Sequence, residues 1–142
     1  MKKDTDLIIS LISRIREKAN THIVSELKRH QINGLQPVHG DIIYALMNHR
    51  ELSMKQIAEI VDRKKSTVTT LIEKLIRLGF VEKRLNETDN RSFLISLTNK
   101  GERQRQAMID ISENLIKKVY KNMPQDERQQ LVKALRSIND NW

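Results

Sequence analysis

Cysteine is absent from the 142-residue chain, and glycine occurs only four times. Without cysteine the protein has no disulfide bonds, no thiolate metal ligands and no reactive thiol for peroxide to oxidise. A glycine-rich phosphate-binding loop is also missing. No long apolar run occurs, because Asp4, Asp6, Arg14 and Arg16 interrupt the hydrophobic stretch near the amino terminus and no small-residue cleavage site follows. We therefore expect no signal peptide and no membrane span, and a cytoplasmic protein.

Signatures of catalysis are lacking too. No nucleophile stands beside a base in a recognisable motif, and no pair of carboxylates occurs where a pocket would form. Ser53 and Ser66 are better explained as helix-capping or surface residues. We expect a protein that is not an enzyme and needs no cofactor.

The charge balance favours a polyanionic partner. Basic residues exceed acidic ones by 26 to 18, which gives a formal net charge of +8. Such an excess suits nucleic acid or an acidic membrane surface. The chain length fits one domain with a moderate core. Composition does not locate the binding site, so the site has to be located from local sequence patterns.

Residues 53–79 have the pattern of a helix-turn-helix. The segment SMKQIAEIV supplies a first helix that starts with a capping-box pair, Ser53 and Gln56. Its apolar residues share one face: Ile57, Ile60 and Val61. The basic segment DRKK then turns the chain into the second helix, STVTTLIEKLIRL, which Gly79 ends.

The second helix has one apolar stripe and one polar face. The stripe follows i, i+3, i+4 spacing and contains Val68, Leu71, Ile72, Leu75 and Leu78. The residues that point away from it are Ser66, Thr70, Glu73 and Arg77. Short hydroxyl side chains crowd the first turn. They allow a helix to enter a DNA major groove and to bond phosphates or base edges.

A charged β-hairpin follows, with strands predicted at residues 81–85 and 92–97 and turn-forming residues between them. Phe93, Ile95 and Leu97 alternate with Leu94 and Ser96, so one face can pack on the helices. Basic residues occupy the strand end and the tip. Our hypothesis is that Asp89, at the tip, hydrogen-bonds Arg84 or Arg91 and fixes the guanidinium for a narrow minor groove. The alternative is a plain turn-forming aspartate.

Long amphipathic helices flank this region. The first predicted helix covers about 26 residues, roughly 40 Å, and ends at Asn33-Gly34. Its stripe contains Ile8, Leu11, Ile12, Ile15, Ala19, Ile23 and Leu27. Pro37 opens the next helix, which carries Ile42, Ile43, Leu46 and Met47.

Two further helices follow the hairpin. One is predicted at residues 100–122 with the stripe Met108, Ile111, Leu115 and Val119, and Pro124 starts the last, with Leu131, Ala134, Leu135 and Ile138. The stripes of the first and last helices are long enough to need a partner. The simplest partner is a second copy of the chain. A homodimer on a palindromic site places two DNA-recognition helices one DNA turn apart. A monomer with its stripes folded onto its own reading region is the alternative.

The segment IAEIVDRKKSTVTTLIEKLIRLGFVEKRLNETDNRSFLISLTNKG, residues 57–101, resembles the MarR family of winged helix-turn-helix transcription regulators. Ser66-Thr67-Val68-Thr69 matches the start of the recognition helix, Asp89-Asn90-Arg91 the wing tip, and Leu97-Thr98-Asn99-Lys100-Gly101 the start of the next helix. The chain differs at the turn, where it has Asp62 and Arg63 in place of a frequent glycine and apolar residue, and Lys64 in place of a frequent serine cap.

The resemblance implies a single domain over residues 1–142 that is mainly α with a small β-wing. Residues 35–99 form the winged helix-turn-helix DNA-binding core, and residues 1–34 and 100–142 form dimerisation helices, interlocked between two copies. It also implies small aromatic or phenolic effectors that bind between the dimer helices and the reader. Tyr44, Met47 and Met54 could line such a cleft, but a core role fits them better.

We interpret the chain as a homodimeric transcription regulator, a repressor or an activator, that binds double-stranded DNA. Ser66, Thr67, Thr69 and Thr70 are predicted to face the major groove, with Lys74 and Arg77 supporting them. Lys64 and Lys65 are predicted on phosphates, against the alternative of a solvated basic turn. Arg84, Asp89 and Arg91 are assigned to the minor groove. A protein-interaction module is the rival reading of the same fold.

A metal-responsive regulator is the remaining alternative. His22, Glu26 and His30 share a face of the first helix, a spacing that suits a metal ion if another element, such as His39 with Asp41, adds a ligand. The same ladder is ordinary on a solvated helix. We assign no metal site.

Overall fold

The computed structural model describes residues 3–142. Its elements, in chain order, are a 3₁₀ turn Asp4–Leu7, α1 Ile8–Arg29, α2 Pro37–Asn48, β1 Leu52–Ser53, α3 Met54–Val61, α4 Lys65–Arg77, β2 Val81–Leu85, β3 Phe93–Leu97, α5 Asn99–Arg103, α6 Arg105–Val119 and α7 Gln125–Asn139. The strands form one antiparallel sheet in the order β1-β3-β2. The fold is mainly α with a small β-wing, as predicted. No helix in the described range is both long and apolar enough to cross a membrane.

The core lies where α2, α3 and α4 meet the base of the sheet. Its most deeply buried side chains are Ile42, Ile43, Ile57, Val68, Ile72, Leu75, Val81 and Ile95. Three of the five predicted stripe residues of α4 are among them, and Leu71 and Leu78 pack against this core half-buried. Burial of a side chain of this size contributes roughly 1.5–3 kcal/mol, so α4 is fixed mainly by packing.

Helix α1 ends earlier than predicted. The sequence indicated Asn33-Gly34, but the last helical residue is Arg29, and Gln31 adopts a left-handed φ of 60°. This turn lets the Ile32 N–H donate to the Leu27 carbonyl at 2.9 Å and brings both side chains into the core. The left-handed turn at Gln31 therefore ends the helix, and not the glycine at residue 34. Pro37 opens α2, as predicted.

The start of α3 is the predicted capping box. Ser53 Oγ accepts from the Gln56 N–H at 3.2 Å, and Gln56 Oε1 accepts from the Ser53 N–H at 2.9 Å. Ile57 is buried, whereas Ile60, predicted on the same face, is 50 % exposed. Ile60 instead borders a cleft between the flanking helices and α3. Asp62 takes a left-handed φ of 52° and ends the helix.

The helix predicted at residues 100–122 is broken in two. Gln104 separates α5 from α6, and its N–H donates to the Gly101 carbonyl three residues back at 3.1 Å. A bond to the third residue back is a 3₁₀-type turn, tighter than the α-helix on either side. The following Arg105 binds the Met47 carbonyl at 2.9 Å and Glu102 at 2.9 Å. The break therefore coincides with a contact to α2 that no local pattern encodes.

Much of the apolar surface of the flanking helices is uncovered. The large side chains that are at least 39 % exposed include Ile8, Ile9, Leu11, Ile12, Ile15, Ile116, Val119, Leu131 and Leu135. They are not folded back onto the winged-helix region of the same chain. Only the carboxyl-terminal end of the α1 stripe, at Leu27, is buried.

Candidate nucleic-acid interface

The polar face of α4 lies opposite its buried stripe. Of the residues predicted to bind DNA, six are exposed there and in the preceding turn: Lys64, Lys65, Ser66, Thr67, Thr70 and Arg77. Thr69 and Lys74 are half-buried. Lys64 is the residue before the first turn, and its side chain caps no backbone N–H. The first amides of α4 are therefore free to meet an anion together with the lysines.

Two threonine hydroxyls of α4 donate their protons within the helix. Thr69 Oγ1 donates to the Lys65 carbonyl at 2.9 Å, and Thr70 Oγ1 donates to the Ser66 carbonyl at 3.3 Å. In this rotamer each hydroxyl proton is used within the helix, so the oxygen faces outward as an acceptor. Such an acceptor matches the exocyclic amino groups of adenine or cytosine better than it matches a phosphate.

The wing is a regular hairpin with a tightly bonded tip. Its register runs from Val81 opposite Leu97 to Leu85 opposite Phe93. At the tip, Asn86 Oδ1 accepts from the Thr88 N–H at 3.2 Å. The Asn86 N–H also donates to the Ser92 carbonyl at 3.0 Å, and these bonds close the turn within the hairpin, so the tip is a preformed loop.

Asp89 does not hold a guanidinium. Its Oδ1 accepts from the Arg91 backbone N–H at 3.1 Å, and its carbonyl accepts from the Ser92 N–H at 3.1 Å. Among residues 3–142, the Arg91 side chain has no hydrogen-bond partner. The hypothesis that Asp89 orients Arg84 or Arg91 is therefore wrong, and the alternative, a turn-forming aspartate, describes the structure. A carboxylate two residues before a free N–H is a common turn device, and this local bond is satisfied first.

Arg84 is bound elsewhere. Its Nε and Nη2 both donate to Glu51 Oε2, at 3.1 and 2.6 Å. Arg84 is 52 % exposed and Glu51 is 35 % exposed at the side-chain level. Glu51 was not predicted as a partner of Arg84, because 33 residues separate the two. The signal that could have found it is slight: Glu51 directly precedes the short strand β1, which pairs with the wing strand β3.

The carboxyl end of α4 is held by a lysine from α5. Lys100 Nζ donates to the Leu78 carbonyl at 2.6 Å and lies 4.7 Å from the centre of the Phe80 ring. A cation at this position satisfies a terminal carbonyl and complements the negative end of the helix dipole. The role of Lys100 was not predicted, although the residue lies in a segment that carries the family resemblance.

Thr98 and Gly101 complete this junction. Gly79 has a left-handed φ of 82°, and its carbonyl accepts from Thr98 Oγ1. The Phe80 carbonyl accepts from the Thr98 N–H at 3.0 Å. A Cβ on Gly101 would lie only 2.2 Å from the Phe80 oxygen, so no larger residue fits without displacement. Thr98, Lys100 and Gly101 together, here called the α4–α5 junction, fix the end of the recognition helix.

His39 lies behind α4. It is 4 % exposed, and its Nδ1 accepts from the Gln36 N–H at 2.9 Å. This bond requires Nδ1 to be unprotonated, so the neutral ring carries its proton on Nε2. Burial lowers the pKa of His39, and the nearby Lys74 lowers it further. His39 is therefore a structural residue behind the candidate interface.

The structure gives little support to the metal alternative. Glu26 is paired with Arg29 at 2.7 Å, and this hydrogen bond lowers the pKa of Glu26. Between residues 3 and 142, no three His, Asp or Glu side chains are close enough to share a metal ion. His39 also uses Nδ1 for its backbone bond.

A cleft of about 560 Å³ lies between α1, α2, α3 and α6. Most of its lining is apolar and includes Ile23, Leu27, Val61, Met108 and Leu115. Tyr44 lines it as well, whereas Met47 and Met54 pack against the core. Its volume is in the range of small-molecule sites.

The fold is that of a winged-helix protein, because a hairpin wing follows the helix-turn-helix. Long helices flank this winged-helix region on both sides. Comparison with known proteins gives the family. A model of the MarR family matches residues 33–92. SarZ, an HTH-type transcriptional regulator of Staphylococcus epidermidis, is 30 % identical over 97 residues, which are 68 % of this chain and 64 % of SarZ. The chain belongs to the MarR family of winged-helix proteins.

Solved structures agree on the fold at low sequence identity. A MarR variant from E. coli in complex with operator DNA has a TM-score of 0.81 at 18 % identity and covers 96 % of this chain and 99 % of that one. BpsR of Bordetella bronchiseptica, whose DNA binding is regulated by 6-hydroxynicotinic acid, has a TM-score of 0.81 at 18 % identity, with 99 % and 98 % coverage.

Proposed function

We propose that two copies of this chain form a homodimer that binds a palindromic site in double-stranded DNA and represses transcription. The observation that carries the proposal is the joint presentation of two elements. The polar face of α4 is exposed beside free lysines, and the wing projects with the Arg91 guanidinium unbonded within residues 3–142. SarZ is a transcriptional regulator and the MarR variant from E. coli was solved with operator DNA, which supports the same role here.

The dimer is supported by the uncovered apolar side chains of α1, α6 and α7. A second copy that covers these residues removes a large apolar area from water. It also places two recognition helices about 34 Å apart, one turn of DNA, so that both half-sites contribute binding energy. In this arrangement the helices of residues 1–34 and 100–142 dimerise and residues 35–99 read DNA, within one domain.

In the proposed complex α4 enters the major groove. Ser66, Thr67, Thr69 and Thr70 face base edges, with Lys74 and Arg77 beside them. Lys64, Lys65 and the first amides of α4 bind phosphate, where each contact releases a counterion. Arg91 enters the minor groove, whose negative potential favours an unpaired guanidinium. Asp89 closes the turn that carries Arg91.

The cleft beside Tyr44 is the site where an effector would act. Its size and apolar lining suit a small aromatic or phenolic compound, and 6-hydroxynicotinic acid regulates DNA binding by BpsR. A ligand wedged between the flanking helices and α3 changes the separation of the two recognition helices. A mismatch with the half-site spacing then lowers affinity.

The test is selection of duplexes from a random pool, followed by titration of the selected duplex at several salt concentrations. DNA binding by phosphate contacts weakens steeply as salt rises. Arg91→Ala should weaken binding by about tenfold, on the scale of one lost base-groove contact, with the dimer and its melting temperature unchanged. Unchanged affinity in this variant would remove the assigned role of the wing. A purified protein that is monomeric, or binds no duplex at low salt, would contradict the function and leave the protein-interaction module.

A further inference from the structure

We propose that the ion pair between Glu51 and Arg84 sets the angle of the wing against the helix-turn-helix. On this proposal Arg84 is a positioning residue and not a DNA contact, although the sequence analysis assigned it to the minor groove. The inference rests on the proposed DNA binding. It adds Glu51, an acidic residue outside the expected interface, to the groups that control affinity.

The ion pair spans the whole width of the sheet. Arg84 of β2 is opposite Leu94 of β3, and Leu94 is opposite Ser53 of β1. Cross-strand neighbours share a face, and so do residues two apart on one strand, so Arg84 and Glu51 lie on the same face at opposite edges. The pair therefore crosses β3 and joins the two edge strands, about 9.6 Å apart at the usual strand spacing.

Glu51 connects the ion pair to the helix-turn-helix through the two residues that follow it. Glu51 precedes β1, and Ser53 at the end of β1 caps the first turn of α3. The wing is otherwise joined to the helices through the base of the hairpin, while its outer half, at Leu85 and Phe93, is 48 % and 40 % exposed. A bond from Arg84, next to the tip, back to β1 restrains this outer half. Such a restraint matters because the wing and α4 must fit two grooves at once.

The bonding geometry also argues against Arg84 as a phosphate ligand. Its Nε and Nη2 are both committed to one carboxylate oxygen, at 3.1 and 2.6 Å. If the guanidinium moved to DNA, the partly covered Glu51 carboxylate would remain without its partner beside a polyanion. Both the lost hydrogen bonds and the repulsion oppose that movement.

Substitution of Glu51 distinguishes the two possible roles of Arg84, phosphate contact and positioning residue, because the two roles predict opposite changes in DNA affinity. If Arg84 binds phosphate, Glu51→Ala frees a cation, removes a negative charge and tightens DNA binding. If the pair positions the wing, Glu51→Ala weakens binding despite the removed charge, by up to about fivefold for an exposed pair. Glu82→Ala is the matched control, because it removes the same charge from the same sheet face at a residue with no ion pair among residues 3–142.

The full series is Glu51→Ala, Arg84→Ala, the double alanine variant and the charge reversal Glu51→Arg/Arg84→Glu. We expect the two single variants to weaken binding alike, the double variant to be no weaker than either, and the reversal to restore affinity to within about twofold. The salt dependence of binding should be unchanged in Arg84→Ala. A slope reduced by about 0.9, together with no rescue by the charge reversal, would overturn the proposal and make Arg84 a phosphate contact.

The angle of the wing can also be measured without DNA. Because the chain has no cysteine, spin labels can be placed at Thr88→Cys on the tip and Glu59→Cys on α3, with labelled protein diluted into unlabelled protein. Glu51→Ala should broaden the distance distribution between the labels, and an unchanged distribution would overturn the proposal. If wild-type protein binds no duplex while the distribution broadens, the proposed function fails and the positioning of the wing by the ion pair stands.

Discussion

Replacement of Gly101 by alanine tests the α4–α5 junction. The new Cβ would lie 2.2 Å from the Phe80 oxygen and 3.2 Å from Leu97 Cδ2. Relief of the first contact requires a shift of about 1 Å, since carbon and oxygen normally approach to little less than about 3.3 Å. The obstacle is backbone, and the Thr98 N–H already holds the same oxygen at 3.0 Å. The clash therefore cannot be relieved by a change of rotamer.

The expected destabilisation is about 2 kcal/mol. Overpacking of this kind costs roughly 1–3 kcal/mol. A weakened hydrogen bond between Thr98 and Phe80 adds about 1 kcal/mol, and the better helix propensity of alanine returns about the same amount. For a chain of this size the melting temperature should fall by roughly 8 °C.

The assay is urea denaturation followed by circular dichroism at a fixed protein concentration, so that any dimerisation contributes equally. Gly40→Ala is the matched control. Gly40 also lies in a helix, but a Cβ there meets only Met108 Cε, at 3.5 Å, an ordinary contact. This variant should be as stable as wild type or more stable, by up to about 1 kcal/mol. Equal stability of the two alanine variants would refute the steric argument.

Two further predictions concern stability. Ser53→Ala removes one half of the capping box of α3 and should lower the free energy of unfolding by about 1 kcal/mol, measured by the same denaturation; no change would show that the box is redundant. The pKa of His39 is lowered from about 6.5 in the folded state, so the unfolded chain binds more protons below that pH. The free energy of unfolding should therefore fall as the pH drops below about 6.5. This fall should be smaller in His39→Gln but unchanged in His49→Gln, at an exposed residue, and equal pH profiles would contradict the role of His39.

The parts of the fold that the sequence predicts depend on neighbours a few residues apart. Ser53 with Gln56, Pro37 and Gly79 act within one turn, and the structure has them as expected. The stripe of α4 also follows from its spacing. The predicted end of α1 was wrong because the left-handed turn at Gln31 ends the helix and lets the Ile32 N–H bond the Leu27 carbonyl.

Long-range pairing explains what the sequence analysis missed around the candidate site. The sequence shows which residues of α4 share a face, but not which cations are already bonded. Arg84 is occupied by Glu51, 33 residues away, and Lys100 by the Leu78 carbonyl, 22 residues away. Among residues 3–142, the guanidinium of Arg91 has no such partner. Charge patterns alone do not distinguish these cases, because the partners meet only after the sheet and the helices have assembled.

The α4–α5 junction has a mechanical consequence for any regulator built on this fold. Thr98 and Lys100 bind three successive carbonyls at the end of α4, and Gly101 leaves no free space against them. We therefore expect α4 and α5 to keep a fixed arrangement relative to each other. A displacement of α5 should therefore reach the carboxyl end of α4 through backbone atoms, without passing through the outer half of the wing.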